Sequence, residues 1–339
     1  MSGISPLSSV HHRIGQGGLF AAACRWALLL YLLLPSATAG ANPAKVSLAS
    51  RLEAASLEIL VDGHLAGSGW FVASQGLAIT AAHVVRGGRL IEVRSPGGGR
   101  LRAKRIRVDT GHDLALLRVE RRGGLFPTLE LALAPPTSGT PLVLFGTALY
   151  RHGLLFPGSV AGDRLTFEWN VQNRCYTEAQ PVAAQAPRGL SGGPWTNLAG
   201  EVVGVQSSVM SGTGGMSGIA FMSPVTAVQE LLDGQATAAT LGGIYAESWE
   251  PSRRSAESGA AGSTGIRVLE VLGAGPLAEA GVEPGELIVT LDGRPLELRD
   301  ELLGRVRGKA PGEPVTLGVV NSHGERRQVV VTLADCNRR

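Results

Sequence analysis

The sequence predicts a mostly β fold, and three observations support that prediction. Glycine accounts for 47 of the 339 residues, and only 5% of the residues are aromatic. Between about Lys45 and Gly234, short apolar stretches are separated by glycine-containing turns, without long helices between them. A succession of short strands and tight turns is typical of β-barrels or a β-sandwich, and both alternatives stay open at this level.

The first predicted domain covers residues 45–234. Asp62-Gly63 between two apolar runs is a hairpin signal. Short strands are expected at 57–61, 67–72, 77–80, 90–93, 105–108, 114–119, 141–146, 201–207 and 217–221. One amphipathic helix is expected at 224–232, because Val225, Val228 and Leu232 share a face at helical spacing.

A second domain is predicted at residues 264–334. A one-turn helix is expected between Pro276 and Gly281, with proline early and glycine just past its end, and a second helix near 299–307. Strands are expected at 265–271, 286–291, 314–320 and 326–333. Residues 235–263 are dominated by small and charged side chains, and form either a linker or the start of this domain.

Residues 1–39 have the features of a secretory signal peptide. Arg25 precedes an apolar run at 26–34, and Ala37-Thr38-Ala39 provides an Ala-x-Ala cleavage signal before Gly40. We therefore expect a periplasmic or secreted protein. A membrane anchor formed by an uncleaved N-terminal segment is the alternative, although the apolar run is short for a bilayer span.

The charge balance argues against a nucleic-acid partner. The chain has 31 basic and 28 acidic residues. Residues 1–39 carry Arg13 and Arg25 and no acidic residue, so the expected mature chain has 29 basic against 28 acidic residues, a net charge of +1. A charge so close to neutral is not the electrostatic footprint of a nucleic-acid-binding protein.

Cysteine and histidine give weaker signals. Cys24 lies in the expected signal peptide, which leaves Cys175 and Cys336. An oxidising compartment would permit a disulfide between them. The sequence does not show how far apart the two cysteines lie in the fold. Of the two alternatives, unpaired thiols are slightly preferred. His112 is expected at the surface, because it adjoins Asp113 and neighbours on a strand point to opposite faces.

Three motifs carry the chemistry. Ser191 lies in the hexapeptide Gly-Leu-Ser-Gly-Gly-Pro, His83 ends the segment Thr-Ala-Ala-His, and Asp113 precedes the apolar run 114–117. Unrelated serine hydrolases arrange their histidine, acid and serine in different chain orders, and the order His-Asp-Ser is the chymotrypsin-type order. The alternative reading of each motif alone is a glycine turn or a core histidine, and the joint occurrence disfavours it.

Together with further segments, these motifs resemble the HtrA/Deg family, whose members join a trypsin-like serine protease domain to a PDZ domain. The matching segments are 67–70, 82–85, 113–117, 189–194, 203–205, 218–221 and 281–286. The resemblance implies a chymotrypsin-like double β-barrel followed by an α+β PDZ domain. It places His83 and Asp113 on the first barrel and Ser191 on the second. Leu190 departs from the family, which usually has asparagine there.

On this interpretation, Ser191 is the nucleophile and His83 takes its proton during attack. Asp113 would hold the imidazole in the correct tautomer and stabilise the imidazolium. The backbone N–H groups of Gly189 and Ser191 would form the oxyanion hole. This chemistry needs neither a metal ion nor an organic cofactor, and we expect none.

The predicted substrate pocket lies beside Ser191. Gln185, six residues before the serine, is expected near its base, and Ser207, Ile219 and Phe221 along its walls. Without a buried acid at the base, a lysine or arginine side chain would be uncompensated, which is costly. We therefore expect small or medium aliphatic residues before the cleaved bond.

The PDZ domain is expected to bind peptide C-termini by strand addition. Gly242, Gly243 and Ile244 form the candidate carboxylate loop, with a simple glycine turn as the alternative. The predicted function is a serine endopeptidase acting on unfolded or damaged proteins. The alternative is a proteolytically silent chaperone or adaptor that works through the PDZ groove. Residues 40–60 lack the aromatic residues that family trimers often use, so a homo-oligomer stays an open prediction.

Overall fold

The computed structural model describes residues 46–96, 99–120, 123–170, 175–212, 215–235, 238–250 and 264–338. The predicted signal peptide at 1–39 lies outside the described residues. So does much of the predicted linker at 235–263. The described residues form two β-barrels and a third sheet.

The first barrel is closed by six strands in the order β1-β2-β3-β6-β5-β4. A tight turn at Asp62 and Gly63, both with positive φ, joins the first two strands, as the Asp-Gly signal predicts. Helix α1 at Leu48–Ala55 precedes the barrel, and the short helix α2 at Ala82–Val85 directly follows β3. The strands are β1 Ser56–Val61, β2 His64–Ala73, β3 Leu77–Ala81, β4 Ile91–Ser95, β5 Gly99–Asp109 and β6 Leu114–Val119.

The second barrel has the strand order β13-β12-β11-β7-β8-β10, and pairing of β10 with β13 closes the ring. Strand β9 extends beyond the ring as a hairpin partner of β10. Helix α3, Val225–Asp233, follows β13 and ends at Gly234 in the left-handed conformation. The strands are β7 Pro141–Ala148, β8 Arg151–Val160, β9 Thr166–Asn170, β10 Cys175–Ala183, β11 Pro194–Thr196, β12 Val202–Gly212 and β13 Gly215–Pro224.

The third sheet has the order β15-β16-β17-β19-β20, with β18 paired to β17 and β15 at one edge. Helices α4 at Pro276–Glu279 and α5 at Arg299–Arg307 match the predicted helices. Strands β14 and β21 form a separate short pair, followed by a 3-10 turn at Cys336–Arg338. The strands are β14 Ala239–Thr240, β15 Gly243–Trp249, β16 Gly265–Leu272, β17 Leu287–Leu291, β18 Arg294–Pro295, β19 Pro314–Val320, β20 Arg326–Thr332 and β21 Ala334–Asp335.

The chain end that follows the third sheet is bonded back to the barrels. Cys175 at the start of β10 and Cys336 form a disulfide with a Cα–Cα distance of 6.0 Å, so the slight preference for unpaired thiols is wrong. Nearby, the Asn337 side-chain oxygen accepts hydrogen bonds from the backbone and the hydroxyl of Thr110, at 2.8 and 2.9 Å. The sequence could not predict this pairing, because 161 residues separate the two cysteines.

The predicted surface position of His112 is also wrong. His112 is 7% exposed, and its ring contacts Asp109 at 2.6 Å and Glu178 at 3.2 Å. The strand-alternation argument does not apply, because His112 and Asp113 lie in the turn that precedes β6 rather than on the strand. Burial and a nearby arginine lower the pKa of His112, but the two carboxylates outweigh them and raise it to about 9.

Candidate active site

The structure joins His83 to Asp113 through two contacts. His83 lies on α2, immediately after β3, and Asp113 lies in the turn that leads into the neighbouring strand β6. His83 Nδ1 lies 2.6 Å from Asp113 Oδ2, and the backbone N–H of His83 donates to Oδ1 at 3.0 Å. The Ser207 hydroxyl donates a third hydrogen bond to the same carboxylate, at 2.7 Å.

Electrostatics favour the charged form of each group in this pair. Burial alone would raise the pKa of Asp113, but the charge of His83 and the hydrogen bonds from His83 and Ser207 lower it below its usual value. Burial lowers the pKa of His83, and the charge and hydrogen bond of Asp113 more than offset this, so the pKa is raised. An ionised carboxylate therefore faces an imidazole whose protonated form it stabilises.

Ser191 lies in a turn that only glycine-rich sequence can form. Gly189 and Gly192 on either side have φ of +102° and +85°, in the left-handed region. A Cβ at Gly192 would lie 2.2 Å from the carbonyl oxygen of Ser68, so no larger residue fits. The turn is anchored to the first barrel, because Ser68 N–H donates to the Ser191 carbonyl at 2.8 Å.

Ser207 connects the serine to the other two residues. The Ser191 hydroxyl donates to the backbone carbonyl of Ser207 at 3.4 Å, while the Ser207 hydroxyl is bonded to Asp113. Ser207 of β12 thus contacts both Ser191 and Asp113, and Asp113 contacts His83. The sequence had placed Ser207 in the substrate pocket and missed its contact with Asp113, since position in a strand does not reveal a hydroxyl's partner.

The predicted oxyanion-hole donors are available in this geometry. Within the part of the chain that the structure describes, the backbone N–H groups of Gly189 and Ser191 have no acceptor. The neighbouring Leu190 is fully buried in the core of the second barrel, which accounts for an apolar residue at the position where the family usually has asparagine.

The other predicted pocket residues are dispersed. Gln185 is exposed in the loop after β10, which does not fit a position at the base of a buried pocket. Ile219 is half-buried on β13 opposite Ala183, and Phe221 is 3% exposed. The six-residue spacing between Gln185 and Ser191 does not determine the conformation of the loop between them, so it does not predict where the Gln185 side chain lies.

The predicted carboxylate loop is covered by side chains of the second barrel. Gly242 has φ of +96°, as a tight loop requires. A Cβ at Gly243 would lie 2.8 Å from the Trp169 ring, and the Ile244 carbonyl accepts a hydrogen bond from the Tyr176 hydroxyl. Phe167 of β9 lies in the core of the third sheet, against α5. Side chains from β9 and β10 thus cover the Gly243–Ile244 end of β15 and pack against α5.

Comparison with known proteins agrees with the two-part architecture. The trypsin-like peptidase domain family matches residues 67–205, and the PDZ domain family matches residues 243–333. The chain therefore contains a trypsin-like peptidase domain followed by a PDZ domain. The first match spans the segment from Gly67 to β12 that holds the three candidate residues, and the second spans the third sheet, which is the PDZ domain.

Curated relatives carry corresponding names. A probable periplasmic serine endoprotease DegP-like of Ectopseudomonas mendocina is 32% identical over 274 residues, covering 79% of this chain and 56% of the relative. The putative serine protease HhoB of Synechocystis is 27% identical over 277 residues, covering 78% of this chain and 65% of the relative. The chain thus spans little more than half the length of the first of these.

Solved structures support the fold. The HtrA-type protease AlgW with a decapeptide has a TM-score of 0.62 at 20% identity, covering 85% of this chain and 98% of the other. The serine endoprotease from Yersinia pestis has a TM-score of 0.58 at 21% identity, covering 85% and 96%.

Two kinds of feature are absent from the described residues. Among the described helices, none has the length and hydropathy needed to cross a bilayer. In the same residues, His, Cys, Asp and Glu side chains form no cluster of three or more that would suit a metal ion.

Proposed function

We propose that this chain is a periplasmic serine endopeptidase that cleaves unfolded or damaged proteins. The observation that carries the proposal is the 2.6 Å contact between His83 and Asp113, with Ser191 linked to the same carboxylate through Ser207. His83 would accept the Ser191 proton during attack on the peptide carbonyl and return it to the leaving amine. The Gly189 and Ser191 N–H groups would stabilise the oxyanion.

Export through the signal peptide at 1–39 is part of the proposal. The relatives' names and the Cys175–Cys336 disulfide support it, because disulfides persist in oxidising compartments such as the periplasm. We further propose that the PDZ domain binds the C-termini of peptides at the loop formed by Gly242, Gly243 and Ile244. The homo-oligomer stays a prediction.

Digestion of casein by the purified protein from Gly40 onward tests the activity. We expect cleavage and labelling of the protein by a fluorophosphonate probe, and loss of both in Ser191→Ala. The matched control is Ser138→Ala, which removes an exposed serine of the second barrel and should change neither. Cleavage by Ser191→Ala equal to that of the parent would refute the assignment.

The adaptor alternative rests on one feature of the site. The Ser191 hydroxyl donates to the Ser207 carbonyl, a bond that must break before His83 can take the proton. The assay is therefore repeated in the presence of peptides with a free C-terminal carboxylate, the ligands proposed for the PDZ domain. A chain that binds such peptides, is never labelled by the probe and never cleaves casein would be the adaptor.

A further inference from the structure

The oxyanion hole depends on the orientation of two peptide groups around Gly189. Glycine can rotate either neighbouring peptide at little cost, so its N–H does not point to the substrate by default. The structure fixes both groups by their carbonyls. The Arg188 carbonyl accepts from Leu149 N–H at 3.0 Å, and the Gly189 carbonyl accepts from the Ser68 hydroxyl at 2.8 Å.

The Ser68 hydroxyl is itself held from behind. Its single proton is given to Gly189, and its oxygen accepts the backbone N–H of Thr147 at 3.0 Å. The Thr147 hydroxyl in turn donates to Glu58 Oε1 at 3.0 Å. Each hydroxyl has a single proton, and that proton is already donated to a partner. The donors and acceptors in this chain of hydrogen bonds from Glu58 to Gly189 therefore cannot exchange roles.

The members of this chain of hydrogen bonds are buried. Ser68 is 0%, Thr147 4% and Glu58 8% exposed. Such hydrogen bonds are stronger in a low-dielectric interior, and breaking one leaves a buried polar group without a partner. A rigid chain of this kind can therefore hold a peptide group that would otherwise rotate.

Glu58 is the last member of this chain of hydrogen bonds, and its carboxylate has further partners. Arg94 Nη1 donates to its second carboxylate oxygen at 2.9 Å, and His152 contacts Oε1. Thr147 and His152 flank the tight turn at Leu149 and Tyr150, which have φ of +48° and +61°. The turn that supplies the Leu149 N–H to Arg188 is thus tied to Glu58 at both ends.

We propose that Glu58 and Thr147 are positioning residues for the oxyanion hole. Through Ser68 they hold the Gly189 carbonyl away from the substrate, and through the Leu149 turn they hold the Arg188 carbonyl. The Gly189 N–H then faces the developing oxyanion. This inference rests on the proposed peptidase activity and adds to it two residues that lie outside the catalytic triad.

Thr147→Val tests the proposal, because valine keeps the shape and removes the hydroxyl. Loss of a whole oxyanion donor costs about 10²–10³ in kcat, and a misplaced donor should cost less. We expect kcat to fall about tenfold with KM within a factor of two, and the affinity for a peptide boronic acid, which mimics the oxyanion, to fall by the same factor. Thr147→Ser should restore both.

Thr196→Val is the matched control. It removes a buried threonine hydroxyl from the same barrel, one that donates to Val143 of β7 rather than to Glu58. It should leave kcat and boronic acid affinity unchanged. If Thr147→Val matches the control, or raises KM with kcat unchanged, the positioning role is wrong while the peptidase proposal stands. If the parent chain neither cleaves casein nor binds the boronic acid, both are wrong.

Discussion

Asp113 shows how one residue of the candidate active site is held in place. It has φ of +55°, an uncommon conformation for a residue other than glycine, and it is fully buried. Its carboxylate accepts hydrogen bonds from His83 and Ser207. The strained turn is offset by these bonds, and the imidazole is fixed in the tautomer with the proton on Nδ1.

Asp113→Asn should therefore lower kcat by about 10⁴-fold, the cost known for the wrong histidine tautomer in serine proteases. The loss should occur with little change in folding, because asparagine keeps the size of the side chain. Asp109→Asn is the control, since it alters the buried carboxylate that contacts His112 instead. Comparable losses in the two variants would indicate damage to the whole turn rather than to the tautomer.

The buried His112 leads to a second prediction. Its pKa in the folded protein is raised to about 9 from a usual value of 6.5. A raised pKa gives a stabilisation that is complete below pH 6.5 and is lost as the pH rises towards 9. A shift of this size corresponds to about 3 kcal/mol.

The free energy of unfolding of the parent should thus decrease between pH 6.5 and 9, and His112→Gln should flatten that decrease. Denaturant unfolding at several pH values measures it. The charged groups that face the imidazole are Asp109, Glu178 and Arg307. A parent and a variant with the same pH dependence would show that His112 does not carry the effect.

At the scale of secondary structure, the hairpin of β9 and β10 covers the Gly243–Ile244 end of the groove between β15 and α5. Burial raises the pKa of Tyr176 to about 12, so its hydroxyl stays protonated and donates to Ile244. β15 is an edge strand of the sheet. Without the Tyr176 hydroxyl, the Ile244 carbonyl on this strand would be free to accept a hydrogen bond from an added peptide strand. If peptides bind at the proposed loop of Gly242, Gly243 and Ile244, a peptide C-terminus has to displace this hairpin.

The double variant Trp169→Ala and Tyr176→Phe should bind free-carboxylate peptides about tenfold more tightly than the parent, because the cost of displacing the hairpin is reduced. Fluorescence anisotropy with a labelled peptide measures this, and the same peptide with a C-terminal amide should bind weakly. Trp249→Ala is the control, since Trp249 lies at the far end of β15 against Arg267. Equal affinities in the parent and the double variant would contradict the displacement.

Sequence reasoning succeeded where the signal is local and failed where it is not. The Asp62-Gly63 turn, the helix at 299–307 and the glycines around Ser191 follow from backbone preferences of a few residues. The errors at His112 and at Cys175 have a different origin. His112 precedes by two residues the strand on which the sequence predicts it, and the partners of Cys175, Trp169 and Tyr176 lie far along the chain. Such contacts depend on the packing of whole domains.

At the scale of the whole molecule, the Cys175–Cys336 disulfide links the second barrel to the chain end after the PDZ domain. It closes a loop with a sequence separation of 161 residues, for which the chain-entropy estimate is about 5 kcal/mol. Cys175 directly precedes Tyr176 in the sequence, so the disulfide also ties the hairpin of β9 and β10 to the segment that follows the PDZ domain.

Cys175→Ser combined with Cys336→Ser should lower the free energy of unfolding by up to about 5 kcal/mol. Guanidinium unfolding of the parent, with and without a dithiol reductant, should give the same difference as the double variant. The reductant should have no effect on the variant. An unchanged midpoint in the reduced parent would show that the packed interface alone holds the two domains together.

The disulfide also provides a second covalent connection between the two ends of residues 175–336. A single cut anywhere between Tyr176 and Asp335 would leave both fragments joined through sulfur, so a nicked molecule would migrate as one species until a reductant is added. Release of the PDZ domain thus requires a second chemical event after the first hydrolysis, either a thiol exchange or another cut before Cys336.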